Sequence, residues 1–141
     1  MLSKNSIIFI TFCLFFSVSA SSLASDLSGT WKLEIKDSTK ESKVIANVRF
    51  EHDIAQSCIS GDWRVVTLVS IDASDEKLFP IEQPLSYQIE GEDITIGRNQ
   101  RCDSYLHLNG KLDTSNITGD YYAFGLKHNK LYGHFTLRLI D

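Results

Sequence analysis

Residues 131–139, Leu-Tyr-Gly-His-Phe-Thr-Leu-Arg-Leu, decide the fold because a small or apolar side chain occupies every second position. Successive side chains of a β-strand point to opposite faces, so Gly133, Phe135 and Leu137 share one face. This period of two is typical of a strand that buries one side and exposes the other.

The same alternation recurs upstream. Trp31, Leu33 and Ile35 alternate with charged residues near the start, and no segment after residue 25 has an apolar stripe at helical spacing. In the third predicted strand, one face carries Trp63, Val65, Thr67, Val69 and Ile71. The sequence predicts eight strands, over 29–36, 43–52, 58–71, 85–90, 93–98, 103–112, 116–124 and 130–139.

The turns favour a meander that closes on itself. Asn109-Gly110 is a strong hairpin signal, and the longest connection, 72–84, is expected to lie across one end of the sheet. Glycines in an apolar–polar–Gly–any–apolar pattern supply corners where strands can coil sharply; they are Gly29, Gly61, Gly119 and Gly133. We therefore predict an all-β fold, an eight-stranded antiparallel meander closed into a small barrel.

The N-terminus has the pattern of a cleavable signal peptide. Lys4 precedes an apolar run over 7–16, and small residues follow as far as Ala24, after which we place the cut. About ten apolar residues are too few for a permanent membrane anchor, which needs roughly 20. We predict a signal peptide over 1–24 and a single soluble domain over 25–141, periplasmic or secreted.

Cysteine content points to one disulfide. Cys13 lies within the signal, after Phe12 rather than a small residue, so no lipid anchor is expected there. Cys58 and Cys102 remain as a pair in an oxidising compartment, where a disulfide would contribute about 4 kcal/mol by closing a long loop. The open alternative is a pair of metal-binding or catalytic thiols, although no Cys-x-x-Cys is present.

The charge and the motifs exclude several functions. The formal charge of −4 becomes −5 without Lys4, which argues against nucleic acid and anionic membranes as partners. The chain lacks a Gly-x-Ser-x-Gly elbow and a phosphate-binding glycine loop. The histidines are scattered, at His52, His107, His128 and His134. We expect no catalytic residue, no metal and no cofactor.

Aromatic residues are the main candidates for binding. Those predicted to face inward can fill the core or line an apolar pocket, and the candidate ligand-binding residues among them are Trp31, Trp63, Tyr87, Tyr121 and Phe135. Tyr122, Phe124 and Tyr132 fall on the outer face beside the turn at 125–129. An exposed aromatic cluster there would mark a contact with another protein.

Gly29-Thr30-Trp31 opens the first predicted strand and Arg138 lies in the last. This arrangement resembles the calycins, the group of lipocalins, fatty-acid-binding proteins and avidins. The resemblance implies that Trp31 and Arg138 form a barrel-closing pair, with the guanidinium packed across the indole. It implies a barrel shape and does not identify a ligand.

Three functions follow as expectations. The first is an exported, non-enzymatic binding protein for a small apolar or amphipathic ligand. The second is a protein-binding inhibitor of a secreted hydrolase, such as a lysozyme or protease, which would use the loops at 52–58, 72–84 and 125–129. The third is a small barrel isomerase or dehydratase, which His107 or Asp120 buried in a deep cavity against Tyr105 or Tyr121 would favour.

Overall fold

A computed structural model describes residues 26–125 and 129–141. The predicted signal peptide over 1–24, with Cys13, and His128 lie outside the described residues. Every regular element within them is a β-strand. None of these residues belongs to a helix long and apolar enough to cross a bilayer.

Eight strands follow one another along the chain, close to the predicted bounds. They are β1 (Trp31–Asp37), β2 (Ser42–Ile54), β3 (Arg64–Ala73), β4 (Leu85–Glu90), β5 (Asp93–Arg98), β6 (Tyr105–Lys111), β7 (Asn116–Phe124) and β8 (Asn129–Leu139). Each strand pairs antiparallel with its neighbour in sequence, and β8 pairs with β1, where Trp31 lies opposite Leu139. The predicted closed eight-stranded barrel is confirmed.

The meander gives the barrel two different ends. Connections after β1, β3, β5 and β7 lie at one end, which we call the loop end. Connections after β2, β4 and β6 lie at the other, together with residues 26–30 and 140–141, and we call it the termini end.

The predicted alternation holds through most of the barrel. In β1, Trp31, Leu33 and Ile35 are buried, whereas Lys32 and Glu34 between them are partly exposed. Inward residues of β1, β5, β6, β7 and β8 supply the largest fully buried side chains within the barrel wall, namely Trp31, Leu33, Ile35, Ile94, Ile96, Leu108, Ile117, Tyr121, Phe135 and Leu137. The smaller Val44 and Ala46 of β2 are also fully buried.

The face predicted for β3 is wrong. Val66 is buried and Leu68 packs against the core, whereas Thr67 and Val69 are exposed. The register with β2 shifts between Asn47 and Val48, so a bulge interrupts the period of two before Ile71 turns inward again. A continuous alternation from Trp63 to Ile71 therefore does not exist.

Residues 58–63, predicted as the start of the third strand, belong instead to a connection over 55–63 that leaves the sheet. The main-chain N–H of Cys58 donates to the oxygen of Asn99, 2.8 Å away, which holds this segment against the connection after β5. The predicted disulfide between Cys58 and Cys102 is confirmed, with Cα atoms 5.4 Å apart. It ties a connection of the termini end to one of the loop end.

Asn109-Gly110 is not a turn, contrary to the hairpin prediction. Both residues lie inside β6, where Gly110 faces Gly119 of β7. A Cβ on Gly119 would lie 1.9 Å from the main-chain oxygen of Asn109. The two strands approach so closely there that glycines occupy both facing positions. The chain turns a few residues later, where the Asp113 carboxylate accepts hydrogen bonds from two main-chain N–H groups.

Side chains close both ends of the barrel. At the loop end, Phe79 and Ile81 of the connection between β3 and β4 join the core, which agrees with the prediction for 72–84. At the termini end, Leu27 is buried and its main-chain oxygen accepts a hydrogen bond from the Trp31 indole at 3.2 Å.

Candidate functional site

Four of the five candidate ligand-binding aromatics belong to the core. Trp31, Tyr87, Tyr121 and Phe135 lie in the buried cluster inside the barrel. Trp63 does not, although it is buried, because it precedes β3 and packs on the outside of the sheet. The prediction that Trp63 faces inward is therefore wrong.

The inward aromatics pack against one another. Phe50 makes edge-to-face contacts with Trp31 and Tyr87, at centroid distances of 6.2 and 5.0 Å. Phe79 meets Tyr121 in the same way at 5.3 Å. Inward side chains such as Trp31, Leu108 and Phe135 are at most 1% exposed, so the interior between them is filled by side chains.

Trp31 and Arg138 both lie at the seam between β1 and β8, but their side chains do not stack as the calycin resemblance implies. Arg138 pairs with Lys32 and is exposed on the outer face, whereas the indole of Trp31 is fully buried inside. Adjacent residues of a strand point to opposite faces, which keeps the two groups apart. The predicted stacking of Arg138 on Trp31 is therefore wrong, and Leu27 covers this end instead.

A charged side chain is buried at the loop end. Arg98, the last residue of β5, is 8% exposed. One terminal nitrogen of its guanidinium donates to the Gln83 side chain at 3.2 Å, and the other donates to the main-chain and hydroxyl oxygens of Ser104 at 2.8 and 3.1 Å. Its Nε–H has no acceptor among the described residues.

Arg98 lines an open cleft of about 380 Å³ whose walls come from two connections of the loop end, those after β3 and β5, and from the neighbouring strands. Lys77 and Arg101 line the same cleft, with Glu76 as its single acid. Burial lowers the pKa of the Arg98 guanidinium, and the nearby charge of Arg101 lowers it further. The cleft thus gathers three cations with one carboxylate.

Aromatic side chains surround an adjoining cleft. We define the rim patch as Tyr105, Leu106, Phe124 and Tyr132, which line it together with Lys130. The rings of Tyr105 and Phe124 lie 5.2 Å apart, and the Lys130 ammonium lies 4.9 Å from the Tyr132 ring centre. Two of these residues, Leu106 and Tyr132, also line the Arg98 cleft, so the two clefts are neighbours.

His107 lies outside the barrel beneath the disulfide-tethered segment. The centre of its ring lies 5.6 Å from that of Trp63 and 4.7 Å from that of Phe124. The ring also covers Gly97 of the neighbouring strand β5, where a Cβ would collide with the imidazole. Nε2 is 2.6 Å from the Asn99 side-chain oxygen, and the Asn99 amide donates to Ser86. Burial lowers the pKa of His107 to about 4.

This cluster is built as a structural network. Because the amide of Asn99 stands between Ser86 and His107, the imidazole has no contact with the hydroxyl that it would have to activate. His107 is near Tyr105, with ring centres 6.2 Å apart, but it does not line either loop-end cleft.

Asp120 and His134 form an exposed pair on the outer face, with 2.8 Å between Oδ1 and Nδ1. No third ligand completes a site there, since residues 26–125 and 129–141 contain no group of three or more His, Cys, Asp or Glu able to hold a metal ion.

Sequence reasoning missed Arg98 and Phe79. The alternation Ile94, Ile96, Arg98 already places the arginine on the inward face of β5, and that signal was available. Phe79 lies in a connection rich in prolines and acids, where no periodicity indicates burial.

Comparison with known proteins gives no relative: no protein-family model, no curated protein and no solved structure matches this chain.

Proposed function

We propose that this chain is an exported, non-enzymatic binding protein that recognises another secreted protein through its loop end. The observation that carries the proposal is the filled barrel. Inward aromatics that contact each other leave no room for a ligand of the lipocalin type, so recognition has to use the outer surface.

The rim patch supports a protein partner. Tyr132 and its neighbour Leu131 are among the exposed large apolar residues, at 37% and 47% exposure. Aromatic groups flanked by a cation such as Lys130 are the composition that protein interfaces favour. The patch contains Phe124 and Tyr132, two of the residues that the sequence marks as an outer aromatic cluster.

A disulfide and a buried arginine hold one side of the patch, the connection after β5. The disulfide fixes Cys102, three residues before Tyr105, and Arg98 binds Ser104 within the same connection. A surface that is ordered before binding loses little conformational entropy on association. This property suits an inhibitor of a secreted hydrolase such as a lysozyme or protease.

Export and a calycin-like shape are part of the proposal. The disulfide indicates an oxidising compartment, and the signal-like residues 1–24 favour the periplasm or the extracellular medium. The eight-stranded closed barrel is consistent with the calycin resemblance of Gly29-Thr30-Trp31, even though Arg138 lies elsewhere.

A small amphipathic ligand is the second candidate. The Arg98 cleft favours it, because a buried cation beside the apolar side chains of Leu78, Leu106 and Tyr132 offers complementary contacts to such a molecule. The ligand would then bind at the loop end and not within the barrel.

The experiment mixes the chain over 25–141 with a panel of secreted lysozymes and proteases and measures complex formation and inhibition. Tyr132→Asp places a charge within the rim patch, and Ile140→Asp, at the termini end with 49% exposure, is the matched control. We expect a complex that the first variant weakens at least about tenfold and the second leaves unchanged. Absence of any complex, or equal loss in both variants, would contradict the proposal.

A further inference from the structure

We propose that the Arg98 cleft is a binding site for a carboxylate that carries a small apolar group. The inference rests on the second candidate function, a small amphipathic ligand at the loop end, and deepens it by naming the chemistry that would satisfy one buried guanidinium.

The guanidinium of Arg98 has hydrogen-bond donors without acceptors in the part of the chain that the structure describes. A guanidinium has five N–H donors, and Arg98 makes three hydrogen bonds, one to Gln83 and two to Ser104. Its Nε–H is buried with no acceptor among the described residues. A buried donor without a partner is costly, and the guanidinium keeps spare donor capacity at the wall of the cleft that an acceptor bound there can use.

The positive charges that line the cleft also lack paired anions in the described part of the chain. None of the ion pairs formed within 26–125 and 129–141 includes Arg98, Arg101 or Lys77. A buried cation is normally paired with an anion, because desolvation of an isolated charge is expensive. Glu76 lines the cleft and leaves an excess of two positive charges in it.

The walls of the cleft select the class of anion. Leu78, Leu106 and the ring of Tyr132 contribute the apolar part of a lining that is otherwise mostly polar. A planar carboxylate matches the fork of a guanidinium, and an attached apolar group would contact these walls. The volume of about 380 Å³ lies at the small end of the range for ligand pockets.

The carboxylate can belong to a free acid or to the C-terminus of a peptide, and the test separates these sources. Phenylacetate and an N-acetylated tripeptide ending in phenylalanine are titrated into the isotope-labelled chain, and the Nε–H resonance of Arg98 is followed by NMR. Phenylacetamide and the C-terminally amidated tripeptide are the neutral controls. Inorganic phosphate is the competing anion.

We expect saturable shifts with the two carboxylates and none with the two amides. Tighter binding of the tripeptide than of phenylacetate assigns the site to polypeptide termini, and the reverse order assigns it to free acids. Arg101→Gln, at an exposed residue, should weaken binding severalfold, and Arg98→Gln at least about tenfold. Arg138→Gln, at the exposed far end of β8, should leave it unchanged.

Equal shifts with the amides, or tighter binding of inorganic phosphate, would overturn the inference. If Arg98→Gln fails to fold, Arg101→Gln decides, since unchanged affinity in that variant would also overturn it. The protein-binding proposal is measured separately, through complex formation at the rim patch, and does not fall with this one.

Discussion

The phenol of Tyr121 donates a hydrogen bond to the main-chain oxygen of Leu78, 2.5 Å away. This bond joins the wall of the barrel to the connection between β3 and β4, and beside it the ring of Phe79 packs edge-to-face on Tyr121. The loop end is thus closed by a segment that the core itself holds in place. This closure is the reason that the barrel interior does not communicate with the Arg98 cleft as an open pocket.

Replacing Tyr121 by phenylalanine tests that closure. The variant keeps the ring contact with Phe79 and leaves the oxygen of Leu78 without its donor, so we expect the free energy of unfolding to fall by about 1–2 kcal/mol. Urea denaturation measures the change. Tyr122→Phe, which alters the neighbouring phenol on the outer face, is the control and should change stability by less than about 0.5 kcal/mol.

The termini end gives a prediction that separates this barrel from the calycin arrangement. Leu27 is buried against the core, and Leu27→Ala should cost about 2–4 kcal/mol of unfolding free energy. Arg138 is exposed, so Arg138→Ala should change stability by less than about 0.5 kcal/mol. A large loss from Arg138→Ala in thermal or urea denaturation would show that its guanidinium does pack across the indole.

His107 makes stability depend on pH. Its pKa is about 4 in the folded chain because of burial, against 6.5 in its ordinary state. Between these values the unfolded chain binds the extra proton, so the free energy of unfolding decreases as pH falls from 6.5 to 4, by about 3 kcal/mol in all. Above pH 6.5 this stabilisation is complete.

The measurement is urea denaturation at about pH 7.5 and pH 4.5, with an NMR titration of the imidazole. His107→Gln should remove most of the pH dependence in this window. His52→Gln, at an exposed histidine, should preserve it. An imidazole midpoint near 6.5 for His107 would contradict the burial described here.

The disulfide holds the segment that covers His107. In the double variant Cys58→Ser/Cys102→Ser, we expect a loss of about 4 kcal/mol of unfolding free energy from the longer free loop. Trp63 should also become more exposed, which shifts tryptophan fluorescence to longer wavelength. An unchanged emission spectrum, together with an unchanged urea midpoint, would mean that the segment is held by its other contacts alone.

The alternation of apolar residues predicted the fold because most strands of the barrel have one solvent-exposed face and one buried face. The alternation does not hold through β3, because a bulge opposite Asn47 and Val48 of β2 shifts its period of two. A bulge depends on pairing between strands, and that pairing is not encoded in the local pattern around Val66 and Leu68.

The candidate site was predicted only in part. Tyr132 and Phe124 were recognised as outer aromatics, but Trp63 was assigned to the interior because the departure of 55–63 from the sheet depends on the disulfide and on Asn99. Arg98 was overlooked because a charged residue at the end of an apolar strand is usually solvated, and only the packed connections around it make it buried.

A native mass spectrum of the chain over 25–141, purified directly from the cells that export it and without lipid extraction, tests most directly whether the barrel is filled. We predict the mass of the polypeptide with one disulfide and no bound apolar molecule, because Trp31, Phe79 and Tyr121 already occupy the interior. A stoichiometric apolar adduct retained by the folded chain would contradict this account and restore a pocket inside the barrel.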